Sequence, residues 1–136
     1  MKVSVDTNVL VRAVVLDDPE QAKTAAAILT EAEVIAVALP CLCEFVWVLL
    51  RVYKFSPHDI ARAIRALLAA SNVKVNRSAV EAGLAVLEAG GDFADAVIAF
   101  EGRWLGGGTF VSFDKAAVAI LLAQGHSARF LRHDGN

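Results

Sequence analysis

Short β-branched runs alternate with longer helical segments along the chain, and this alternation restricts the fold more than any other feature. Runs typical of buried strands lie at residues 3–5, 34–38, 73–75, 109–113 and 127–132. The segments between them carry apolar residues at helical spacing. Strands that alternate with helices usually pair in parallel, with helices on both faces of the sheet. We therefore expect an α/β protein, a three-layer α/β/α domain with a mostly parallel central sheet.

Capping residues and prolines mark where the helices begin. Ser, Asp and Asn are favoured just before the first helical residue, and proline is favoured at the first position. Glycines at positions 90, 106 and 125 mark helix ends. These signals predict helices that begin near Asp6, Pro19, Pro40, Ser56, Ser78, Asp92 and Asp114.

The bulk composition fits one globular domain over residues 1–136, because 57% of the residues are hydrophobic and no low-complexity linker divides the chain. The formal net charge of -2 neither indicates nor excludes a polyanionic partner. Charges interrupt every apolar stretch before the roughly 20 residues that a membrane span requires, and no signal peptide is evident, so we expect a cytoplasmic protein. The high apolar content favours a homodimer or a bound peptide. Cys41 and Cys43 are expected to be reduced core residues.

Four acidic residues stand within or directly after apolar, core-forming segments. Asp6 closes VSVD, Glu44 interrupts LPCLCEFVWVLL, Asp95 lies in DFADAVIAF, and Asp114 follows TFVSF. A buried carboxylate loses much of its hydration, so four of them are best explained by a shared cation. Because Asp6 and Asp114 follow strands, they should lie at the carboxyl edge of a parallel sheet, where such sheets bind ligands. Glu44 and Asp95, each early in a helix, can join them there.

The type of ligand predicts the metal and the reaction. Carboxylate oxygens suit Mg²⁺ or Mn²⁺, whereas zinc would be expected to recruit His or Cys. Four acids can hold one ion tightly or two ions about 3.5 to 4 Å apart. A bound ion lowers the pKa of a water molecule and stabilises a leaving oxygen, so phosphodiester hydrolysis needs no protein nucleophile.

Four motifs, VDTNVLVR, CEFVWVL, DFADAVIA and FVSFDKA, occur in an order and over a length that resemble the PIN-domain ribonucleases, specifically toxins of the VapC type. The resemblance covers essentially the whole chain. It implies an α/β/α fold, RNA cleavage dependent on Mg²⁺ or Mn²⁺, dimerisation, and neutralisation by a VapB-type antitoxin. It places the four acids of the family at Asp6, Glu44, Asp95 and Asp114, and its supporting polar residues at Thr7, Asn8 and Ser112.

Several of these residues also have a purely structural interpretation. Asp6 and Asp114 precede predicted helices and are suitable N-caps. Asp92 and Asp95 have the spacing of a capping pair, so Asp92 stays open as a ligand, a residue behind Asp95, or a cap. Arg12 lies about one helical turn beyond Asp6, where it is expected to meet either an RNA phosphate or an acid.

The leading hypothesis is a metal-dependent endoribonuclease, the toxin of a VapBC-type pair, and two alternatives remain open. A non-catalytic module would grip a partner peptide with its apolar helices and accept an Arg or Lys in its acidic pocket. A phosphatase with Asp6 as nucleophile is less favoured, because its general acid should stand two residues later, where the chain has Asn8. Trp47 and Trp104 are expected to be core or interface anchors rather than platforms for base stacking.

Overall fold

The computed structural model describes residues 1–132. The chain divides into two compact units, Met1–Asn76 and a second one from Arg77 onward, and each is described by itself. Both consist of short parallel strands joined by helices. In chain order the elements are β1 (Lys2–Ser4), α1 (Thr7–Val14), α2 (Pro19–Glu31), β2 (Val34–Ala36), α3 (Leu39–Arg51), α4 (Pro57–Ala69), β3 (Val73–Lys74), α5 (Arg77–Glu88), α6 (Phe93–Trp104), β4 (Phe110–Ser112), α7 (Lys115–Ala123) and β5 (Ala128–Phe130).

The first unit contains a three-stranded parallel sheet in the order β1-β2-β3. Parallel neighbours require a crossover connection, and here each crossover consists of two helices, α1 with α2 and then α3 with α4. Ile35 at the centre of β2 is fully buried, and so are Leu42 and Leu49 on α3 and Ile60 on α4. The apolar faces of the helices therefore form the core of this unit. Helix α1 packs against both α2 and α3.

The second unit contains the helix pair α5 and α6 and a parallel β4-β5 pair connected by α7. Gly83 on α5 permits close packing of the helix pair, because a Cβ atom there would meet the ring of Phe93, which is fully buried. A buried cluster formed by Val86, Ala96, Ala99 and Leu121 joins α7 to this pair, and Phe110 and Ala128 of the two strands pack against it. This packing holds α7 and the two strands against the helix pair.

All five predicted strands are present within residues 1–132. The first is shifted by one residue toward the N-terminus, and the other four are one to three residues shorter than predicted. The predicted α/β class with parallel pairing is confirmed. Helix α3 begins at Leu39, one residue before the predicted Pro40. The predicted cap at Ser78 was wrong, because α5 begins at Arg77 and Ser78 lies inside its first turn. The single domain over residues 1–136 stays a prediction, and residues 133–136 lie outside the described part of the chain.

None of the helices in residues 1–132 is both long enough and apolar enough to cross a lipid bilayer.

Candidate functional site

Asp6 lies between the first strand and the first helix. The strand pairing extends to Val5, whose N–H donates to the carbonyl of Ala36 at 3.2 Å. Asp6 then caps α1, and its Oδ1 accepts the N–H of Thr7 at 2.6 Å. A backbone N–H thus holds one oxygen of the Asp6 carboxylate. Asp6 lies at the carboxyl end of a parallel strand, as the sequence predicted.

Thr7 and Cys41 connect the segment that carries Asp6 to the helix that carries Glu44. Thr7 is 5% exposed, and among residues 1–132 it is the only polar side chain that is buried. Its hydroxyl forms a hydrogen bond with the thiol of Cys41, which lies in the first turn of α3, three residues before Glu44. Burial raises the pKa of the Cys41 thiol, the bond to Thr7 lowers it, and the negative charges of Asp6 and Glu44 raise it again. Both acids therefore act on the same half-buried group, and we call Asp6 and Glu44 the first acidic cluster.

A second acidic cluster is formed by Asp92, Asp95 and Asp114. Asp92 is the N-cap of α6 and Asp95 lies in the first turn of that helix, while Asp114 follows β4 as the N-cap of α7. Burial raises the pKa of Asp95, and the negative charges of Asp92 and Asp114 raise it further. The three carboxylates are therefore near neighbours. Ser112, the last residue of β4, holds the start of α7 because its Oγ accepts the N–H of Asp114 at 2.9 Å.

The expectation that the acids are buried was wrong for most of them. Asp6, Glu44 and Asp114 are exposed, and Asp95 is half-buried. Apolar neighbours in sequence misled the prediction, because helical periodicity turns Phe45 into the core while Glu44 beside it faces solvent. The desolvation argument for a shared cation therefore holds for Asp95 alone.

The capping interpretation is confirmed for Asp6, Asp92 and Asp114. Each accepts a backbone N–H through Oδ1, at 2.6 Å for Asp6, 2.9 Å for Asp92 and 3.1 Å for Asp114. A carboxylate has about four acceptor positions, so one capping bond leaves the second oxygen able to bind a cation. Capping and metal binding are therefore compatible roles for the same side chain.

The chemistry of the donors fits a divalent cation. Among residues 1–132, no Lys or Arg forms an ion pair with an acid of either cluster. Mg²⁺ usually takes one or two carboxylates and keeps several waters, which each cluster can satisfy. No three His, Cys, Asp or Glu side chains of the described chain are grouped closely enough to hold an ion together. Convergence of four acids on a shared ion therefore stays a prediction.

Arg12 meets an acid, as one of its two predicted roles required. Its Nη1 lies 2.8 Å from Oδ1 of Asp17, and the hydroxyl of Tyr53 donates to the other oxygen of Asp17 at 3.3 Å. Arg12 and Asn8 also line a groove of about 620 Å³ between α1 and α2. Contact of Arg12 with an RNA phosphate stays a prediction.

Sequence reasoning missed some partners and misplaced the two cysteines. Cys41 and Cys43 are reduced, as predicted, but both are half-buried rather than core residues. The i, i+3 relation between Cys41 and Glu44 was a visible signal that they share a helix face. The pairing of Asp17 with Tyr53 had no such signal, because 36 residues separate them.

Carboxylates at the ends of parallel strands and at the starts of the following helices define a class of α/β proteins that bind cations or phosphates at this edge. Within that class, the sequence matches the model of the PIN domain over residues 3–120, and the chain belongs to the PIN-domain family. This membership confirms the predicted fold class. PIN domains are typically nucleases and generally use divalent metal ions. Comparison with curated protein sequences gives no match.

Proposed function

We propose that this PIN domain is an endoribonuclease that hydrolyses RNA phosphodiester bonds with Mg²⁺ or Mn²⁺, as the toxin of a VapBC-type pair. The observation that carries the proposal is the presence of two acidic clusters whose acids form no ion pair with a Lys or Arg of residues 1–132. Such clusters attract a divalent cation and, through it, a phosphate. The resemblance of the four motifs to VapC-type toxins supports the choice of RNA, a homodimer and a VapB-type antitoxin as partner.

The residues of the chain would bind and orient the participants in hydrolysis. Asp6 and Glu44 from the first cluster, and Asp95 and Asp114 from the second, would provide the oxygen ligands. A bound divalent ion supplies a water of lowered pKa and neutralises charge on the leaving oxygen. The capping bonds hold one oxygen of a carboxylate in place, so the other is presented without further ordering. Asn8, exposed at the start of α1, would contact the water or the phosphate.

Removal of a single ligand charge tests the proposal. Purified Asp6→Asn and Glu44→Gln are incubated with total cellular RNA and Mn²⁺ or Mg²⁺, and the cleavage sites are mapped. We expect activity to fall by at least about 100-fold, the scale on which one preorganised electrostatic group acts. EDTA should abolish cleavage by the unmodified protein.

A control of the same chemistry is Asp18→Asn, because Asp18 caps α2 through the N–H of Gln21 at 3.1 Å and belongs to neither cluster. This variant should cleave normally. A folded Asp6→Asn or Glu44→Gln protein with undiminished activity would contradict the assignment of the site.

A peptide-binding module remains the second candidate, because the groove between α1 and α2 is lined largely by apolar atoms and lies beside Asn8 and Arg12. Such a module would bind a peptide with an apolar helical face and show no metal-dependent turnover of any RNA. The phosphatase alternative has no support, since the amide of Asn8 cannot act as a general acid.

A further inference from the structure

Three side chains at the carboxyl end of α6 line a surface pocket of about 360 Å³ within the second unit. They are Phe100, Arg103 and Trp104. Their i, i+3 and i, i+4 spacing makes them neighbours on the helix surface. The side chain of Trp104 is 77% exposed, although indole is among the most costly groups to leave in water. A single exposed apolar side chain is common, but an aromatic side chain that lines a pocket beside an arginine can hold a ligand.

The charge in this pocket belongs to Arg103. The carbon of its guanidinium lies 5.7 Å from the centroid of the Phe100 ring, which is within the range of a cation–π contact. Among residues 1–132, no acid forms an ion pair with Arg103. The Phe100 ring therefore orients the planar guanidinium of Arg103, and its N–H donors remain able to bind a ligand. A planar fork of this kind matches phosphate oxygens.

We propose that Phe100, Arg103 and Trp104 form a subsite for one nucleotide of single-stranded RNA. The base stacks on Trp104, and Arg103 donates to a phosphate. Aromatic stacking combined with a cation is how proteins hold single strands without reading their sequence. This proposal rests on the proposed ribonuclease function and adds a binding determinant outside the acidic clusters.

The position of the subsite on α6 agrees with this role. Asp95 lies eight residues before Arg103, which corresponds to about 12 Å along the helix axis. Residues at i and i+8 fall within the same broad stripe of a helix surface. A short length of single-stranded RNA can therefore reach Arg103 from the second acidic cluster. Trp104, nine residues after Asp95, lies about 180° around the helix from it, so the strand would pass around the carboxyl end of α6 to stack a base on the indole.

A second copy of the chain is the competing occupant, since the sequence suggested Trp104 as an interface anchor. Charge complementarity favours RNA. A protein interface over this pocket would bury the guanidinium of Arg103, and burying an unpaired charge is unfavourable. A phosphate compensates that charge directly.

Intrinsic fluorescence can test the subsite because the chain has two tryptophans. In an Asp6→Asn/Trp47→Phe double variant with EDTA present, Trp104 is the remaining tryptophan and the RNA stays intact. Titration with a short single-stranded oligoribonucleotide should quench its emission in a saturable manner. Adding Trp104→Ala to the Asp6→Asn background should weaken binding, measured by fluorescence anisotropy of labelled RNA, by about 5- to 100-fold.

Further variants separate stacking from charge. Trp104→Phe should restore much of the affinity, because it keeps an aromatic face. Arg103→Ala should lower the slope of log K against log salt concentration by about 0.7, the value for one phosphate contact on a single strand. Leu105→Ala is the matched control, since Leu105 is 89% exposed beside Trp104 but does not line the pocket. In the otherwise unmodified enzyme, Trp104→Ala should raise KM and leave kcat nearly unchanged.

Equal RNA affinity of the Trp104→Ala and Leu105→Ala proteins would overturn the subsite, while cleavage by the unmodified enzyme would still support the nuclease. Absence of both RNA binding and metal-dependent cleavage in the unmodified protein would overturn the proposed function and the subsite with it. A change of Trp104 emission that follows protein concentration and self-association in sedimentation, without any effect of RNA, would assign the patch to a protein interface and overturn the subsite.

Discussion

Replacement of Asp95 by Asn should stabilise the protein at neutral pH. Burial and the charges of Asp92 and Asp114 raise the pKa of Asp95 above its ordinary value of 3.8, which means that the fold disfavours the charged form. A group whose pKa is raised in the folded state stabilises the fold below its unfolded pKa, and this contribution is lost as pH rises through the folded pKa. At pH 7 the charged carboxylate is therefore destabilising, and neutral Asn removes the penalty.

The expected gain is small, because Asp95 is only half-buried and solvent screens its neighbours. Interactions between exposed charges are worth about 0.2–1 kcal/mol each, and two of them act here. The N-terminus of α6 stabilises the negative charge of Asp95 by about 0.3–1 kcal/mol, which offsets part of the repulsion from Asp92 and Asp114. The net increase in the free energy of unfolding should be about 0.5–1 kcal/mol. For a chain of this length that raises Tm by about 2 to 4 °C.

Thermal unfolding followed by circular dichroism, with EDTA present, measures this difference as a function of pH. The gain should be complete at pH 7 and vanish at about pH 3, where Asp95 is protonated in both states. Asp18→Asn removes an exposed charge from another helix start and should show no gain. With saturating Mn²⁺ the unmodified protein should have a higher Tm than Asp95→Asn, because an ion bound to the folded state stabilises the unmodified protein more than the variant. A gain that persisted at pH 3 would refute the electrostatic explanation.

Three further substitutions have outcomes that the structure predicts. Thr7→Val should weaken Mn²⁺ binding, measured by calorimetry, because it removes the hydroxyl that bonds to Cys41. Cys41→Ser keeps a partner for that hydroxyl and should bind Mn²⁺ nearly normally. Equal Mn²⁺ affinities of the two variants would show that the bond between Thr7 and Cys41 does not position the first acidic cluster. Gly83→Ala should destabilise by about 1–3 kcal/mol in urea unfolding, because the new methyl group meets the buried ring of Phe93; a neutral effect would mean that the helix pair can separate. Asn72→Ala should lower the free energy of unfolding by about 1–3 kcal/mol in the same assay, because the Asn72 amide donates to two carbonyls at the end of α2, at 2.9 and 3.0 Å. An unchanged urea midpoint would show that water replaces both hydrogen bonds.

The order of strands and helices could be predicted because the signals that define it are local. Ser56 accepts the N–H of Asp59 at 3.1 Å and Pro57 occupies the first helical position, as the pattern indicated. Asp92 and Asp114 likewise cap the helices that they precede. A cap and its helix lie within four residues of one another, so the sequence contains the whole interaction.

Burial and long-range pairing could not be predicted in the same way. Glu44 stands in an apolar run, yet the angular position of each residue around α3 decides which side faces water. The bond between Thr7 and Cys41 depends on how α1 packs against α3, and no local pattern specifies that contact. The four acids could be selected from their apolar neighbours in sequence, and the family resemblance selects the same four, but their exposure and the raised pKa of Asp95 required a structure.

The capping bonds of Asp6, Asp92 and Asp114 have an evolutionary consequence. Asn begins a helix about as well as Asp does, so exchanging a carboxylate oxygen for an amide nitrogen at these positions removes charge without removing the helix start. On the proposed function, one such substitution would remove a metal ligand and leave the fold intact. Descendants that fold but lack nuclease activity would then be a single mutation away, and they could be retained for whatever they still bind.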